Sequence, residues 1–121
     1  MSSGLVLIDK PAGFTSHDAV AKLRGIAGTR RVGHAGTLDP MASGLLPLCL
    51  GEATKFSQMH LDADKEYEAT ALLGIKTSTG DAEGDVIEER PVHVDAAAVA
   101  QLVPRFTGPI LQMPPMHSAL K

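Results

Sequence analysis

Short apolar runs and one alternating segment divide the chain into a series of strands. Residues 5–8 are uninterrupted apolar positions followed by a Lys-Pro-Ala-Gly turn, and residues 45–50 form a second apolar run. Each run predicts a buried strand. Apolar and polar side chains alternate over 65–73, which predicts a strand with one packed face. Further short strands are expected at 86–87 and 110–113.

Helical periodicity follows the first strand. Thr15 or Ser16 offers an N-cap oxygen and Asp18 lies in the expected first turn. Gly28 ends the pattern. The predicted apolar stripe consists of Ala19, Val20, Leu23, Ile26 and Ala27.

Two more helices and a long connection complete the pattern. A short helix is expected over 53–60, and Asp95 is placed to cap a helix over 96–103 that Pro104 kinks or ends. Residues 31–44 are rich in glycine and predict a loop, and loops of this length are often functional. Interleaved helices and strands without repeats indicate a mixed α/β (α+β) class.

Composition narrows the class of protein. The 121 residues are 44% hydrophobic and 21% charged, which is typical of one small globular domain. No apolar stretch is long enough for a membrane span and no secretion signal begins the chain, so a cytoplasmic location is expected. The single cysteine, Cys49, lies in an apolar run and is interpreted as a buried hydrophobe. The histidines show no metal-ligand spacing, so no metal site is expected.

Charge is distributed unevenly along the chain. Residues 1–60 carry six basic and four acidic side chains, whereas residues 61–121 carry five basic and ten acidic ones. No acid stands between Asp18 and Asp39. The basic side chains of that window are Lys22, Arg24, Arg30, Arg31 and His34. On charge alone, this window indicates a solvated helix face and a turn rather than a phosphate-binding patch.

Candidate chemistry concentrates in residues 33–44. Pro40 disfavours the helical region for Asp39 and holds it extended, while flanking glycines leave room for a substrate backbone. Spacing alone favours a simple turn, in which Asp39 bonds its own backbone and Ser43 caps the next element.

The string Gly-His-Ala-Gly-Thr-Leu-Asp-Pro-Met-Ala-Ser-Gly-Leu-Leu at 33–46 resembles the active-site motif of the TruB family of tRNA pseudouridine synthases. Four other segments resemble family motifs in the family's order. They are the N-terminal motif at 7–16, a helix start at 51–55, the tyrosine strand at 65–67 and the segment before a mobile RNA-gripping loop at 112–121.

This resemblance implies a pseudouridine synthase fold, with a mixed, largely antiparallel sheet flanked by helices. It implies isomerisation of the T-loop uridine of tRNA (position 55) to pseudouridine without a cofactor. Asp39 matches the catalytic aspartate, which attacks C1′ or C6 or assists a glycal route. Tyr67 matches the tyrosine that stacks on the flipped base and serves in proton removal; without the resemblance, Tyr67 indicates only a half-buried strand residue.

The resemblance also implies roles for residues around the two catalytic ones. His34 matches the histidine that fills the space left by the flipped nucleotide. Arg30, Arg31, Gly36 and Thr37 are expected to contact RNA, and Lys10 and Pro11 to support the site. His117 departs from the family, where tyrosine is more frequent at the base of the mobile loop.

The implied partner is the T-arm of tRNA, with no membrane involved. Residues 1–121 are expected to be the N-terminal portion of the catalytic domain, ending at a truncation or cleavage point at Lys121. The rest of that domain, including an arginine that pairs with Asp39, and a C-terminal RNA-binding domain would be missing. The chain alone is therefore expected to be inactive, and the complete enzyme to be a monomer.

Three alternatives stay open. One is a related synthase that acts in a guide-RNA complex, and another is a catalytically silent RNA-binding module. An aspartyl-nucleophile phosphotransferase is disfavoured, because no second carboxylate or phosphate-cradling loop accompanies Asp39.

Overall fold

The structure, a computed structural model, describes residues 2–113. The chain divides into two compact units, one ending at Tyr67 and the other beginning at Glu68. Within the described residues, neither unit contains a helix that is long and apolar enough to cross a membrane.

The first unit is built on a three-stranded antiparallel sheet. Its strands are β1 (Gly4–Lys10), β2 (Val32–His34) and β3 (Gly44–Leu50), in the spatial order β1-β3-β2. β1 pairs with β3 from Gly4↔Leu50 to Lys10↔Gly44. These bounds confirm the two strands that the apolar runs predict.

The prediction of an uninterrupted loop over 31–44 is wrong at β2. Val32 pairs with Leu50 and His34 with Leu48, so three residues of this segment complete the sheet. The free edge of β3 supplies the hydrogen-bonding partner, and such long-range pairing overrides the weak strand propensity of a glycine-containing segment.

Helix α1 (Ser16–Ala27) connects β1 to β2 and has the expected ends. The Thr15 hydroxyl accepts a hydrogen bond from the Asp18 backbone N–H at 2.9 Å, and the Asp18 carboxylate accepts one from the Thr15 N–H at 2.9 Å. This reciprocal capping box satisfies two backbone donors at the helix start. At the other end, Gly28 adopts a left-handed conformation with φ of 66°.

The core lies between α1 and one face of the sheet. Its buried members are Ala19, Val20, Val32, Leu46 and Leu48, and Leu23 packs against them. Ile26, which the predicted stripe includes, is exposed because the last turn of α1 lies beyond this cluster.

A 3₁₀ helix, Gly51–Phe56, follows β3 and continues directly as α2 (Ser57–Leu61), which confirms the second predicted helix. The predicted strand over 65–73 is wrong: these residues have no regular structure and are exposed. A strand needs a neighbour for its backbone hydrogen bonds, and no segment in residues 2–113 pairs with 65–73.

The second unit contains an antiparallel hairpin of β4 (Ile75–Thr77) and β5 (Val86–Glu89). It is followed by α3 (Ala96–Leu102), capped as predicted by Asp95, whose Oδ1 accepts from the Ala98 N–H at 2.8 Å. A 3₁₀ turn, Val103–Phe106, ends this helix at Pro104.

The predicted strand over 110–113 is wrong, since these residues have no regular structure. Most of the segment expected to precede the mobile loop, residues 114–121, lies outside the described residues. Among residues 2–113, the buried hydrophobic side chains all belong to the first unit. Helices combined with antiparallel sheets confirm the α+β class.

Candidate active site

The backbone before Asp39 is anchored by the first residue of α1. The Ser16 hydroxyl accepts a hydrogen bond from the Leu38 N–H at 3.0 Å and donates one to the Leu38 carbonyl at 3.2 Å. Ser16 is only 5% exposed. A residue 22 positions earlier in the chain therefore holds both polar groups of the residue that precedes Asp39.

The backbone after Asp39 is anchored by the turn that follows β1. The Pro40 carbonyl accepts a hydrogen bond from the Gly13 N–H at 2.5 Å and a longer one from Lys10 Nζ at 3.4 Å. Lys10 is fully buried, and its ammonium also donates to the carbonyls of Pro11 and Phe14 at 3.0 and 2.5 Å. Buried charges need such partners, so Lys10 ties the turn to the loop through carbonyl oxygens.

Asp39 itself is exposed between these two anchors. Its carbonyl accepts the Ala42 N–H at 2.9 Å, so the backbone makes a turn as the Asp-Pro pair predicts. Its carboxylate makes no hydrogen bond or ion pair within residues 2–113. The simple turn stabilised by the Asp39 side chain is therefore not formed, and the carboxylate is available to an external partner.

The segment before Asp39 begins at the end of β2. His34 is partly buried, and its Nδ1 is a buried polar atom without a hydrogen-bond partner in the described part of the chain. Gly36 is buried, yet a Cβ added there would meet no atom within 4 Å. Thr37 is exposed. The site thus contains an unpaired histidine nitrogen and open space beside Gly36.

The two neighbouring arginines differ in their surroundings. Arg31 forms an ion pair with Glu52, and Lys55 contacts the same carboxylate at 2.6 Å. The Lys55 hydrogen bond and the nearby Arg31 charge lower the pKa of Glu52. Arg30 is exposed, and its guanidinium has no partner among the described residues. Arg24 instead holds the local backbone by donating to the Arg30 and Val32 carbonyls at 3.0 and 3.2 Å.

Tyr67 stands at the end of the first unit with 64% of its surface exposed. It makes no hydrogen bond in residues 2–113, and none joins it to Asp39. Hydrogen bonds of Lys10 to the carbonyls of Pro11 and Pro40 thus link the turn after β1 to the Asp39 loop, whereas none in residues 2–113 links Tyr67 to this arrangement.

Cys49 is fully buried, as predicted, and burial raises the pKa of its thiol. No group of three or more potential ligands in residues 2–113 is arranged to hold a metal ion.

The contribution of Ser16 is the feature that the sequence pattern does not reveal. Thr15 and Asp18 already complete the helix cap, so the hydroxyl of Ser16 is not needed there. The feature of the sequence that points to this role is a second hydroxyl side chain at the start of the helix, shortly after the Lys-Pro turn.

Known proteins resemble this chain over most of its length. The family described as TruB family pseudouridylate synthase (N terminal domain) matches residues 24–121. The tRNA pseudouridine synthase B of Ectopseudomonas mendocina is 58% identical over 118 residues, which are 98% of this chain and 39% of that protein. The tRNA pseudouridine synthase B of Burkholderia lata is 60% identical over 118 residues, covering 98% of this chain and 37% of the relative.

A solved structure is also similar. One chain in the crystal structure of a Cbf5-Nop10-Gar1 complex is 30% identical and superposes with a TM-score of 0.62, over 98% of this chain and 31% of its own length. The chain thus spans less than two fifths of each of these proteins. The family match covers most of the sequence, including the loop around Asp39, and the chain belongs to the TruB family of pseudouridylate synthases.

Proposed function

We propose that this chain is the N-terminal part of the catalytic domain of a tRNA pseudouridine synthase that converts the T-loop uridine at position 55 to pseudouridine. The observation that carries the proposal is the exposed, unpaired Asp39 carboxylate between two anchored backbone positions. The names of relatives 58% and 60% identical support tRNA as the substrate. The rest of the enzyme, including an RNA-binding domain, would come from the remaining length that the relatives possess.

The reaction requires no electron carrier. The bond between C1′ and N1 of uracil breaks, the base turns, and a bond forms between C1′ and C5; the C5 proton leaves and N1 gains one. An anionic group at the junction of sugar and base serves this sequence. Asp39 supplies it by attack at C1′ or C6, or by assisting a glycal route, and its anchored neighbours hold it in place before the substrate arrives.

Other residues would hold the RNA. A uridine flipped out of its stack loses a few kcal/mol, and stacking on an aromatic ring returns about 1–3 kcal/mol. The exposed ring of Tyr67 is suited to that contact and to a part in proton removal. The exposed guanidinium of Arg30, which has no partner among the described residues, is suited to a polar contact with the RNA. His34 would fill the space that the flipped nucleotide leaves.

The test uses a chimera, defined as the Ectopseudomonas mendocina enzyme with its matched segment replaced by this chain. Asp39→Asn in the chimera should abolish tritium release from RNA labelled at uridine C5 while leaving the Kd for tRNA nearly unchanged. Asp9→Asn, which removes an exposed carboxylate on β1, is the matched control and should retain activity. Pseudouridine formation by Asp39→Asn at the parental rate would contradict the proposed role.

A second candidate function is a synthase that works only inside a guide-RNA complex, which the likeness to a Cbf5-Nop10-Gar1 structure favours. The two candidates differ in what the reaction needs. The proposed enzyme should modify purified tRNA without other proteins or RNA, whereas the alternative should not. Pseudouridine formation by the chimera on purified tRNA alone would therefore favour the stand-alone enzyme.

A further inference from the structure

We propose that Ser16 is a positioning residue for Asp39, a role that rests on the proposed function. Its hydroxyl holds the loop on the N-terminal side of Asp39 from inside the protein. Because Ser16 is 5% exposed, its effect on the reaction comes through the loop backbone rather than through contact with RNA.

The bond to the Leu38 carbonyl acts on the peptide unit that Asp39 shares. The Leu38 carbonyl and the Asp39 nitrogen belong to the same planar peptide group, so fixing the oxygen fixes the plane from which the Asp39 side chain departs. The second bond, from the Leu38 N–H, fixes the preceding peptide group. Two consecutive peptide planes before Asp39 are thus held by one hydroxyl.

The position of Ser16 is in turn well determined. It is the first residue of α1, whose start is fixed by the capping box of Thr15 and Asp18, and its neighbours Ala19 and Val20 belong to the core. The cap does not use the Ser16 hydroxyl. Both of its hydrogen bonds reach across 22 residues to the loop, so the rigid helix start serves as the reference for the position of Asp39.

The opposite side of Asp39 is held differently. There, the Pro40 carbonyl accepts one backbone N–H, from Gly13, and one long bond from Lys10. The Pro40 carbonyl belongs to the peptide that follows Pro40, so it does not constrain the Asp39 peptide group directly. Among the described residues, Ser16 is the side chain that bonds directly to that group.

Removing this hydroxyl should affect the rate more than the affinity. Ser16→Ala leaves the N–H and carbonyl of Leu38 without partners, and the loop is then free to shift. A displacement of about 1 Å in a reacting group can lower a rate by about 10²-fold. We expect kcat to fall by about 10- to 100-fold, while the Kd for tRNA changes by less than about threefold.

The experiment measures kcat, KM and Kd for tRNA in the chimera, together with its melting temperature and hydrogen exchange at the Leu38 amide. Ser16→Ala should lower kcat and speed exchange at Leu38, and Ser16→Thr, which keeps a hydroxyl, should restore both. Ser16→Cys, close in size but a weak hydrogen-bonding group, should give an intermediate kcat and carries the test if the alanine variant does not fold. Gly28→Ala is the matched control, because it places a side chain at the left-handed residue that ends the same helix, far from Ser16, and should lower the melting temperature without a comparable loss of kcat.

Retention of parental kcat by a folded Ser16→Ala or Ser16→Cys variant would overturn the proposal. So would equal losses of kcat in Ser16→Ala and Gly28→Ala, since both would then follow from destabilised α1. Failure of the proposed function is recognised separately: the unsubstituted chimera would form no pseudouridine, or Asp39→Asn would remain active.

Discussion

Arg31 donates a hydrogen bond from Nη1 to Oε1 of Glu52 at 2.5 Å. The partner of this arginine is therefore a carboxylate of the same unit, close to a second cation on Lys55. Arg30, its neighbour in sequence, has no such partner among the described residues. Although the two arginines are adjacent, they are not equivalent as sites for an RNA phosphate.

Arg30→Ala should accordingly weaken tRNA binding more than Arg31→Ala. One lost phosphate contact lowers the slope of log K against log salt by about 0.9 on duplex RNA or about 0.7 on single strands. We expect this loss for Arg30→Ala and a smaller one for Arg31→Ala, measured by titrating the chimera with tRNA at several salt concentrations. Equal slopes for both variants and the parent would mean that neither arginine contacts phosphate.

Gly36→Ala tests the open space beside the loop around Asp39. An added Cβ meets no atom within 4 Å and Gly36 does not need a positive φ, so the melting temperature should stay unchanged. Binding of tRNA should weaken if RNA occupies this space. Gly44→Ala is the contrasting variant: its φ of 123° disfavours any side chain, and the substitution should destabilise the fold. Unchanged tRNA affinity in Gly36→Ala would remove this residue from the binding site.

Leu45 and Leu46 are neighbours on β3 with opposite environments, since Leu45 is 65% exposed and Leu46 is 1% exposed. Leu46→Ala should lower the free energy of unfolding of the 121-residue chain by about 2–5 kcal/mol. Leu45→Ala should change it by no more than about 0.5 kcal/mol. Urea denaturation measures both. Comparable losses of unfolding free energy in the two variants would show that the sheet face on which Leu45 lies is covered.

The capping box should make α1 sensitive to acid. The backbone N–H and hydroxyl of Thr15 lower the pKa of Asp18 below its ordinary value of 3.8, so the ionised carboxylate stabilises the folded state. This contribution is fully present above pH 3.8 and is lost as the pH falls through the lowered folded pKa. The melting temperature of Asp18→Asn should therefore be lower than that of the parent at pH 7. The difference between the two melting temperatures should shrink in acid. Asp64→Asn, at an exposed carboxylate without a hydrogen bond or ion pair in residues 2–113, is the control variant and should leave the melting temperature at pH 7 unchanged.

Local chemistry accounts for the parts of the fold that the sequence predicts well. The Thr15 and Asp18 pair and Gly28 define α1 within the helix itself, and the apolar run at 45–50 must be buried wherever its strand pairs. Asp39 is a candidate from the sequence alone, because an Asp-Pro pair among glycines limits its conformation and the resemblance places it in a known motif.

Long-range pairing accounts for what the sequence does not predict. β2 forms because the edge of β3 is free, which a window of local residues cannot reveal. The alternation at 65–73 describes a surface suited to a strand, but a strand forms only beside a partner. The bonds from Ser16 to Leu38 likewise join residues 22 positions apart, and only the folded chain brings them together.

The order of the strands governs when the site can exist during synthesis. Because β1 pairs with β3 rather than with β2, Lys10 lies opposite Gly44 and the residues between them form one closed loop that contains Asp39. Closing such a loop costs entropy before its contacts are made, which slows folding. A nascent chain cannot complete the sheet until Leu50 has left the ribosome, so the loop that holds the aspartate closes only after β3 has been synthesised.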